Sequence, residues 1–170
     1  MADPRRGGAL RRLDPEDLGD HLDRLYRAAW ALCGDRHDAE DLVQETYAAV
    51  LARPRWLRGD DDLGYLLRAL RNTHAGRLRT ASRRPRTTEL GERPEGRPRW
   101  DPDVTSELDA LLRAVSELPA DFRDALVAVD LVGLTYREAA RALRVREATL
   151  TSRLHRARLR IVALLDGEPS

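Results

Sequence analysis

The sequence predicts an all-α protein built from two small helical domains. Apolar residues make up 42% of its 170 residues, whereas aromatic residues make up 5% and charged residues 35%. This composition favours helices rich in leucine and alanine over a β-sandwich, whose strands need valine, isoleucine and tyrosine. A chain of this length can form one ordinary domain or two small ones. The stretch 82–104 holds four prolines and two glycines and divides the chain in two.

Three helices are predicted before this proline-rich stretch. The first carries leucines at helical spacing and ends at Gly34. Asp35 or Asp38 can cap the second, which ends before Pro54. A loop over 58–62 precedes a third helix that is strongly basic on its other faces. We therefore expect a disordered segment over 1–12, a helical domain over 13–81 and a flexible linker over 82–104.

The remaining residues, 105–166, are predicted to form a second helical domain. Pro119 opens one helix and Gly133 ends it. Thr135 and Glu138 are spaced as a capping box, in which hydroxyl and carboxylate each satisfy an orphan amide of the next helix. A short turn then leads into a long final helix. A short helix followed by a longer basic one is the layout of a helix-turn-helix, which places its second helix in the DNA major groove.

The charges are segregated along the chain, although the formal net charge is only +1. Residues 14–62 hold thirteen acids against six arginines, residues 68–99 hold ten arginines against three glutamates, and residues 144–160 hold six arginines against one glutamate. Clustered arginines replace the counterions condensed on DNA phosphates, so both basic blocks are candidate nucleic-acid surfaces. A solvated helix face is the alternative for each.

Two sets of side chains in these blocks are candidates for DNA contact. Arginine reads guanine edges or pairs with phosphates, and hydroxyls can reach either. An amide or an imidazole can contact the bases of an opened strand. The set in the third helix is Arg68, Arg71, Asn72, Thr73, His74, Arg77 and Arg79. The set in the final helix is Arg146, Thr149, Ser152, Arg153 and Arg156.

The second helix carries a candidate protein-docking patch. Asp41 and Glu45 lie one turn apart on one face, with Gln44 beside them. An acidic patch next to apolar atoms can dock a basic partner, although helix solubility alone would also explain it.

Several function classes are disfavoured by what the sequence lacks. Cys33 is the only cysteine, so neither an intramolecular disulfide nor a cysteine-based zinc cluster is expected. No stretch approaches the roughly 20 apolar residues that span a bilayer, and the start has no signal-peptide core, so we expect a cytoplasmic protein without membrane insertion. The histidines are scattered and there is no glycine-rich phosphate loop. We expect no catalytic residue, metal, cofactor or small-molecule substrate, which makes an enzyme the weakest reading.

Motifs on both sides of the linker resemble those of extracytoplasmic-function sigma factors of the sigma-70 family. Residues 39–47, Ala-Glu-Asp-Leu-Val-Gln-Glu-Thr-Tyr, resemble their region 2 signature, and three segments resemble their region 4: 118–123, 133–140 and 152–158. The motifs stand in the family's order over about residues 13 to 165. Together they are more specific than a helix-turn-helix alone.

The resemblance implies a sigma factor that binds core RNA polymerase and directs promoter-specific transcription initiation. The first domain would bind the largest polymerase subunit and open the minus-ten element, and the second would read the minus-thirty-five element. The third-helix set then becomes the minus-ten set, with Leu70, Arg71 and Asn72 at the entry to a base-capturing loop. The final-helix set, to which the resemblance adds Thr151, becomes the minus-thirty-five set. By position the polymerase-docking residues are Asp41, Leu42, Gln44 and Glu45. The implied partners are core polymerase, promoter DNA and an anti-sigma factor.

Some positions depart from the family pattern. Gly76 and Arg77 stand where an Asp-Tyr-like pair is usual, and Glu147 and Ala148 are unusual ahead of the recognition helix, so we do not expect the family's familiar promoter sequences. Arg144 stands at a turn position where glycine is common. A positive φ there would cost a non-glycine residue of order 1–2 kcal/mol. We therefore expect this turn to be built differently.

Two other function classes stay open from the sequence. A helix-turn-helix regulator would bind duplex DNA as a dimer without recruiting polymerase, but it leaves the motif at 39–47 unexplained. An interaction protein that titrates an anti-sigma factor is compatible with the sequence if the departures above disable promoter contact.

Overall fold

The computed structural model describes residues 10–13, 15–53, 55–58, 61–83 and 102–165. Helices dominate these ranges, which confirms the predicted all-α class. The helices are α1 (Asp17–Cys33), α2 (Arg36–Ala52), α3 (Asp62–Arg83), α4 (Pro102–Glu117), α5 (Ala120–Leu126), α6 (Tyr136–Leu143) and α7 (Glu147–Leu165). A π-helical turn over Val127–Leu131 continues α5, and two three-residue strands, β1 (Leu10–Arg12) and β2 (Trp56–Arg58), form the only sheet in the described part of the chain.

The junction between α1 and α2 follows the sequence signals closely. Gly34 ends α1 in the left-handed region at φ 75°, and its amide donates to the Trp30 carbonyl at 2.7 Å. Asp35 caps α2, because its carboxylate accepts from the amides of His37 and Asp38 at 2.9 and 3.2 Å. The reversal between the two helices is therefore set by two adjacent residues.

The start of the described chain differs from the expectation of disorder over 1–12. Residues 10–12 form β1, which pairs antiparallel with β2 with Leu10 opposite Arg58. Arg11 adds an ion pair with Asp62, a carboxylate that was expected in a loop but lies buried in the first turn of α3. Both partners of this pairing are distant in sequence, which explains why local patterns did not reveal the strand. Residues 1–9 lie outside the described residues.

The expected linker is shorter at both ends than its composition suggested. Helix α3 continues through Arg83, and α4 begins at Pro102, a residue type that is well suited to the first turn of a helix. The expected linker over 82–104 therefore overlaps helix at each end. Its central part, residues 84–101, lies outside the described residues.

The first domain, α1–α3 with the strand pair, and the second domain, α4–α7, share one continuous apolar core. Helix α1 packs against α2 and α3 and also against α4 and the π-helical turn, while α3 also packs against α6. Residues 28–32 of α1 are all buried, so this part of the helix has no solvent face. Among the helices of the described ranges, none is long and apolar enough to cross a membrane.

Candidate nucleic-acid interface

The helix-turn-helix begins with the capping box that the sequence predicts. The Thr135 hydroxyl accepts from the Glu138 amide at 3.3 Å, and the Glu138 carboxylate accepts from the Thr135 amide at 2.8 Å. The Thr135 hydroxyl also donates to the Glu138 carboxylate at 2.6 Å, and this bond, followed by the one from the Thr135 amide, lowers the pKa of Glu138, so the carboxylate stays charged at the positive end of the α6 dipole. The orientation of α6 is thus fixed by a local contact at its first turn.

The turn between α6 and α7 does use a positive φ, so the expectation of a differently built turn was wrong. Arg144 ends α6 at φ 57° and ψ 43°, in the left-handed region. The Val145 amide closes the turn by donating to the Ala140 carbonyl at 3.0 Å. Packing of α7 on the rest of the second domain fixes this geometry, and Arg144 bears a strain of about 1 kcal/mol that glycine would avoid.

Four residues of the final-helix set line one shallow concavity of about 520 Å³. They are Thr149, Ser152, Arg153 and Arg156, and they share a face of α7 because they are spaced by three and four residues. Arg146 is exposed in the turn just before α7. Thr151 lies outside the concavity, and its hydroxyl donates to the Glu147 carbonyl at 2.9 Å. The structure thus brings together four of the six predicted residues.

Helix α5 completes this concavity with two residues that sequence reasoning did not assign to the site, Asp121 and Phe122. Asp121 accepts a hydrogen bond from Arg153 at 2.6 Å, although its side chain is 67% exposed. An ion pair so open to solvent is weak and screened by salt, so a phosphate can replace the carboxylate. Phe122 is the only phenylalanine in the chain, and it packs partly buried against the apolar core.

The third-helix set is divided among three sides of α3. Arg68, Asn72 and Arg79 share one outward face by their helical spacing, and Asn72 and Arg79 are exposed. Arg68 forms a 3.2 Å ion pair with Asp61 at the start of the helix. This outward face is available for contact with a nucleic acid.

Arg71 and His74 face the second domain. The Arg71 guanidinium binds the Asp124 carboxylate of α5 through two nitrogens, with Nε at 3.0 Å from Oδ2. His74 is half-buried, with Nδ1 at 3.8 Å from the Cys33 Sγ atom. Burial, followed by the nearby Arg123, lowers the pKa of His74, and burial raises the pKa of the Cys33 thiol to about 11. Both groups are therefore uncharged at neutral pH.

Thr73 and Arg77 face α2. The Thr73 hydroxyl donates to the Ala69 carbonyl one turn back at 3.0 Å. Arg77 donates to the Asp38 carbonyl at 3.1 Å, and its guanidinium lies 3.4 Å from the Glu45 carboxylate and 3.9 Å from that of Asp41. Arg77 thus belongs to the acidic patch of α2 as the structure stands.

The predicted docking residues of α2 separate into surface and core. Asp41 and Glu45 do share a face, since both reach Arg77. Leu42 is fully buried and its side chain holds α2 on the core, so its assignment as a docking contact stays a prediction. Gln44 is exposed on another side of the helix and lines a groove of about 570 Å³.

This groove lies between α1, α2 and the start of α4. Trp30, Tyr26 and Leu108 line it, and the Arg36 guanidinium stacks 4.6 Å above the Trp30 ring. The indole nitrogen of Trp30 is buried and has no hydrogen-bond partner among the described residues. The groove therefore borders both the acidic patch of α2 and the junction between the two domains.

A two-domain helical protein with a helix-turn-helix, a helix with an acidic face and a second basic helix belongs to the class of DNA-binding transcription proteins. Comparison with protein families is consistent with this class. Residues 18–84 match the family model described as Sigma-70 region 2, and residues 108–161 match Sigma-70, region 4.

Individual relatives cover most of the chain. The ECF RNA polymerase sigma factor SigE of Mycolicibacterium smegmatis is 37% identical over 149 residues, which are 84% of this chain and 58% of the relative. The ECF RNA polymerase sigma factor SigC of Mycobacterium tuberculosis is 34% identical over 142 residues, 82% of this chain and 75% of the relative. The chain thus spans under two thirds of the length of the first relative and three quarters of the second.

A solved structure shows the same arrangement of helices. The sigma factor RpoE of Bartonella quintana, crystallised with the anti-sigma factor NepR, superposes with a TM-score of 0.68 at 25% identity over 89% of this chain and 95% of that one. The chain belongs to the extracytoplasmic-function sigma factors of the sigma-70 family.

Proposed function

We propose that the protein binds core RNA polymerase and directs transcription initiation at promoters that carry two recognition elements. The observation that carries the proposal is the presence, in one chain, of an acidic docking face on α2 and a helix-turn-helix whose α7 residues line a single concavity. A stand-alone DNA-binding regulator has no use for the first of these features.

Polymerase docking is assigned to the exposed polar residues of α2. Asp41 and Glu45 present two carboxylates on one face, where a basic surface of the polymerase can approach. Gln44 extends the contact toward the groove beside Trp30. Arg77 already binds both carboxylates, so the polymerase must displace it or accept it as part of the interface.

The minus-ten element is assigned to α3. The outward face of Arg68, Asn72 and Arg79 can bind phosphates and hydrogen-bond to unpaired bases as the domain stands. Capture of a flipped base requires a pocket and costs a few kcal/mol of unstacking energy, which the remaining members of the set would help to offset. Those members are Arg71, Thr73, His74 and Arg77, and they reach DNA only when their present partners are displaced.

The minus-thirty-five element is assigned to the concavity of α7. Arg153 and Arg156 can bind guanine edges or phosphates, and Thr149 and Ser152 add hydroxyl groups on the same face. Thr151 and Arg146 flank this surface and are suited to backbone contacts. Asp121 holds Arg153 in place until a phosphate replaces it.

The wider assignment follows from this division of labour. We assign residues 13–81 to the polymerase and minus-ten domain and 105–166 to the minus-thirty-five domain, with the connection over 82–104 narrowed by the ends of α3 and α4. Nucleotide addition belongs to the polymerase, so no catalytic residue or cofactor is assigned to this chain. Its place of action is the cytoplasm, where the polymerase works. An anti-sigma factor is a proposed partner because the similar RpoE of Bartonella quintana binds one.

Run-off transcription with bacterial core polymerase on a genomic promoter library tests this function. The wild-type chain is compared with Asp41→Ala/Glu45→Ala and with Asp20→Ala, a control that removes an exposed carboxylate of α1 outside the assigned patch and the groove. We expect new start sites downstream of two spaced elements, weakened about tenfold or more by the double variant and little by the control.

Absence of any new start site, together with dimeric binding of a palindrome in the absence of core polymerase, would establish a helix-turn-helix regulator instead. Equal activity of the double variant and the wild type would remove the docking assignment of α2 while leaving the sigma function intact.

A further inference from the structure

The outer side of α6 and the turn after it carry a stripe of arginines, of which only the last has a role in the proposed function. Ala139, Ala140 and Ala142 are buried and define the inner side of α6. The arginines of the helix are spaced by four and three positions, so they lie together on the opposite side. We call this surface the arginine stripe. It consists of Arg137, Arg141, Arg144 and Arg146, and all four are exposed.

The arginine stripe is not neutralised within the described part of the chain. None of its members forms an ion pair or a side-chain hydrogen bond with a described residue. Glu138, the acid of α6, uses its carboxylate in the capping box with Thr135. Arg137 and Arg141 stand one helical turn apart, and like charges at this spacing repel each other. The stripe therefore destabilises the free chain slightly and attracts an anionic partner.

Arg144 adds a second cost to the same surface. Its backbone lies in the left-handed region at φ 57° and ψ 43°, a conformation that glycine adopts without strain. No hydrogen bond or ion pair of its side chain with a described residue offsets this strain. Strained backbone conformations cluster at functional positions, where a contact made by the residue depends on them. The strain therefore points to a partner outside the chain.

The arginine stripe adjoins the concavity of α7. Arg146 stands just before α7 begins at Glu147, and Thr149 of the concavity lies within the first turn of that helix. In a helix-turn-helix the first helix crosses the sugar-phosphate backbone while the second lies in the major groove. Arginines on the first helix then face phosphates, which carry the same charge in every base sequence.

We infer that the arginine stripe binds the phosphates of duplex DNA beside the segment that α7 reads, and that it supplies affinity without reading sequence. This inference rests on the proposed function for the placement of α7 on a promoter. The phosphates relieve the repulsion between the arginines, and the counterions that they release add a favourable entropy. The strain at Arg144 is then offset in the complex with DNA.

The salt dependence of DNA binding by the full chain tests the inference. The wild type is compared with Arg137→Gln/Arg141→Gln/Arg144→Gln by fluorescence anisotropy on two labelled duplexes. One duplex carries an upstream element found by run-off transcription, and the other has an unrelated sequence. Each lost phosphate contact lowers the slope of log affinity against log salt by about 0.9, so the triple variant should lower it by roughly 2–3.

The loss should be the same for both duplexes. We expect the triple variant to bind each of them about tenfold or more weakly at low salt, with the ratio of the two affinities unchanged, because phosphate contacts carry no sequence information. Arg113→Gln is the matched control, since it removes an exposed arginine of the same domain from α4, outside the stripe. It should leave the slope as it is in the wild type.

Arg144→Gly separates DNA contact from folding. Glycine removes the strain together with the guanidinium, so this variant should withstand more denaturant than the wild type and still lose about 0.9 of the slope. A purely structural role of Arg144 predicts the reverse result, lower stability with an unchanged slope.

An unchanged slope in the triple variant would overturn the inference, and so would an equal decrease in Arg113→Gln or a wild-type chain that binds neither duplex at low salt. The measurement on the unrelated duplex needs no polymerase. Failure of the chain to redirect core polymerase would therefore remove the proposed function, while the salt slope would still decide the phosphate contacts.

Discussion

The two arginine-rich helices, α3 and α7, carry similar side chains but present them differently. On α7, four residues of the predicted set line one concavity with only Asp121 as a competing acid. On α3, seven residues are divided among an outward face, a face toward the second domain and a face toward α2. The second domain therefore displays its proposed DNA surface, whereas the first holds part of its proposed surface in internal contacts.

This difference shows that a residue type marks a possible contact and that packing decides its availability. Arg71 has the same chemistry as Arg153, yet its partner Asp124 belongs to the other domain and is 15% exposed, whereas Asp121 is 67% exposed. An exposed ion pair such as Arg153–Asp121 exchanges readily for phosphate. The Arg71–Asp124 pair, inside the domain junction, exchanges only when the junction opens. The variants below test this comparison.

The largest change in stability is expected at Leu42, a core residue that lies among surface residues of α2. Leu42→Ala should lower the free energy of unfolding by about 2–5 kcal/mol, because it leaves a cavity at a fully buried position. Gln44→Ala should change it by less than about 0.5 kcal/mol while weakening polymerase binding. Denaturant unfolding and polymerase pull-down measure the two effects. A stable Leu42→Ala protein with impaired docking would restore Leu42 to the interface.

The next effect concerns the concavity of α7. Arg153→Ala should weaken binding to the minus-thirty-five element by about 1–3 kcal/mol, since a base or phosphate contact is lost. His155→Ala is the control at an exposed position on the same helix, outside the assigned set, and should cost much less. Fluorescence anisotropy with a labelled upstream duplex, using the polymerase holoenzyme, reports both. Equal losses in the two variants would show that the concavity is not the contact surface.

A smaller effect is expected at the turn of the helix-turn-helix. Arg144→Gly should raise the free energy of unfolding by about 1 kcal/mol, because glycine adopts the left-handed conformation without strain. Arg141→Gly, an exposed position inside α6, should instead lower it by about 1 kcal/mol. Chemical denaturation distinguishes these opposite signs. If both glycine variants were less stable than the wild type, Arg144 would have to make a contact that offsets the strain of its backbone.

The smallest effect is the contribution of His74 to the pH dependence of the unfolding free energy. Its pKa is lowered in the folded protein by burial and by Arg123, so the folded state favours the neutral ring. The resulting stability is present above the unfolded-state pKa of about 6.5 and is lost as the pH falls through the lower folded-state value. Cys33, Arg77, Arg123 and Asp124 surround the ring.

His74→Gln should therefore flatten the decline of the unfolding free energy below about pH 6.5 relative to the wild type. His155→Gln, at an exposed position of α7, is the control. Thermal unfolding across this pH range provides the comparison. Parallel curves for the wild type and the His74 variant would exclude a contribution from this ring.

The helices and their caps were predictable because their signals are local. Gly34, Asp35, Thr135 and Glu138 act within a few residues of their own positions, and the structure places each as the sequence predicts. The strand pair and the Arg71–Asp124 contact were not predictable, since each joins residues about fifty positions apart. The burial of Leu42 was indicated by its place in the apolar stripe of α2, but its place in the family motif led to a docking assignment.

A footprint of the assembled initiation complex tests the division of labour most directly. Core polymerase with the wild-type chain should protect two promoter segments about two to three helical turns apart. Arg153→Ala/Arg156→Ala should remove the upstream protection alone, and Asn72→Ala/Arg79→Ala should weaken the downstream protection alone. A single protected segment, or loss of both segments in either variant, would contradict the assignment of one element to each domain.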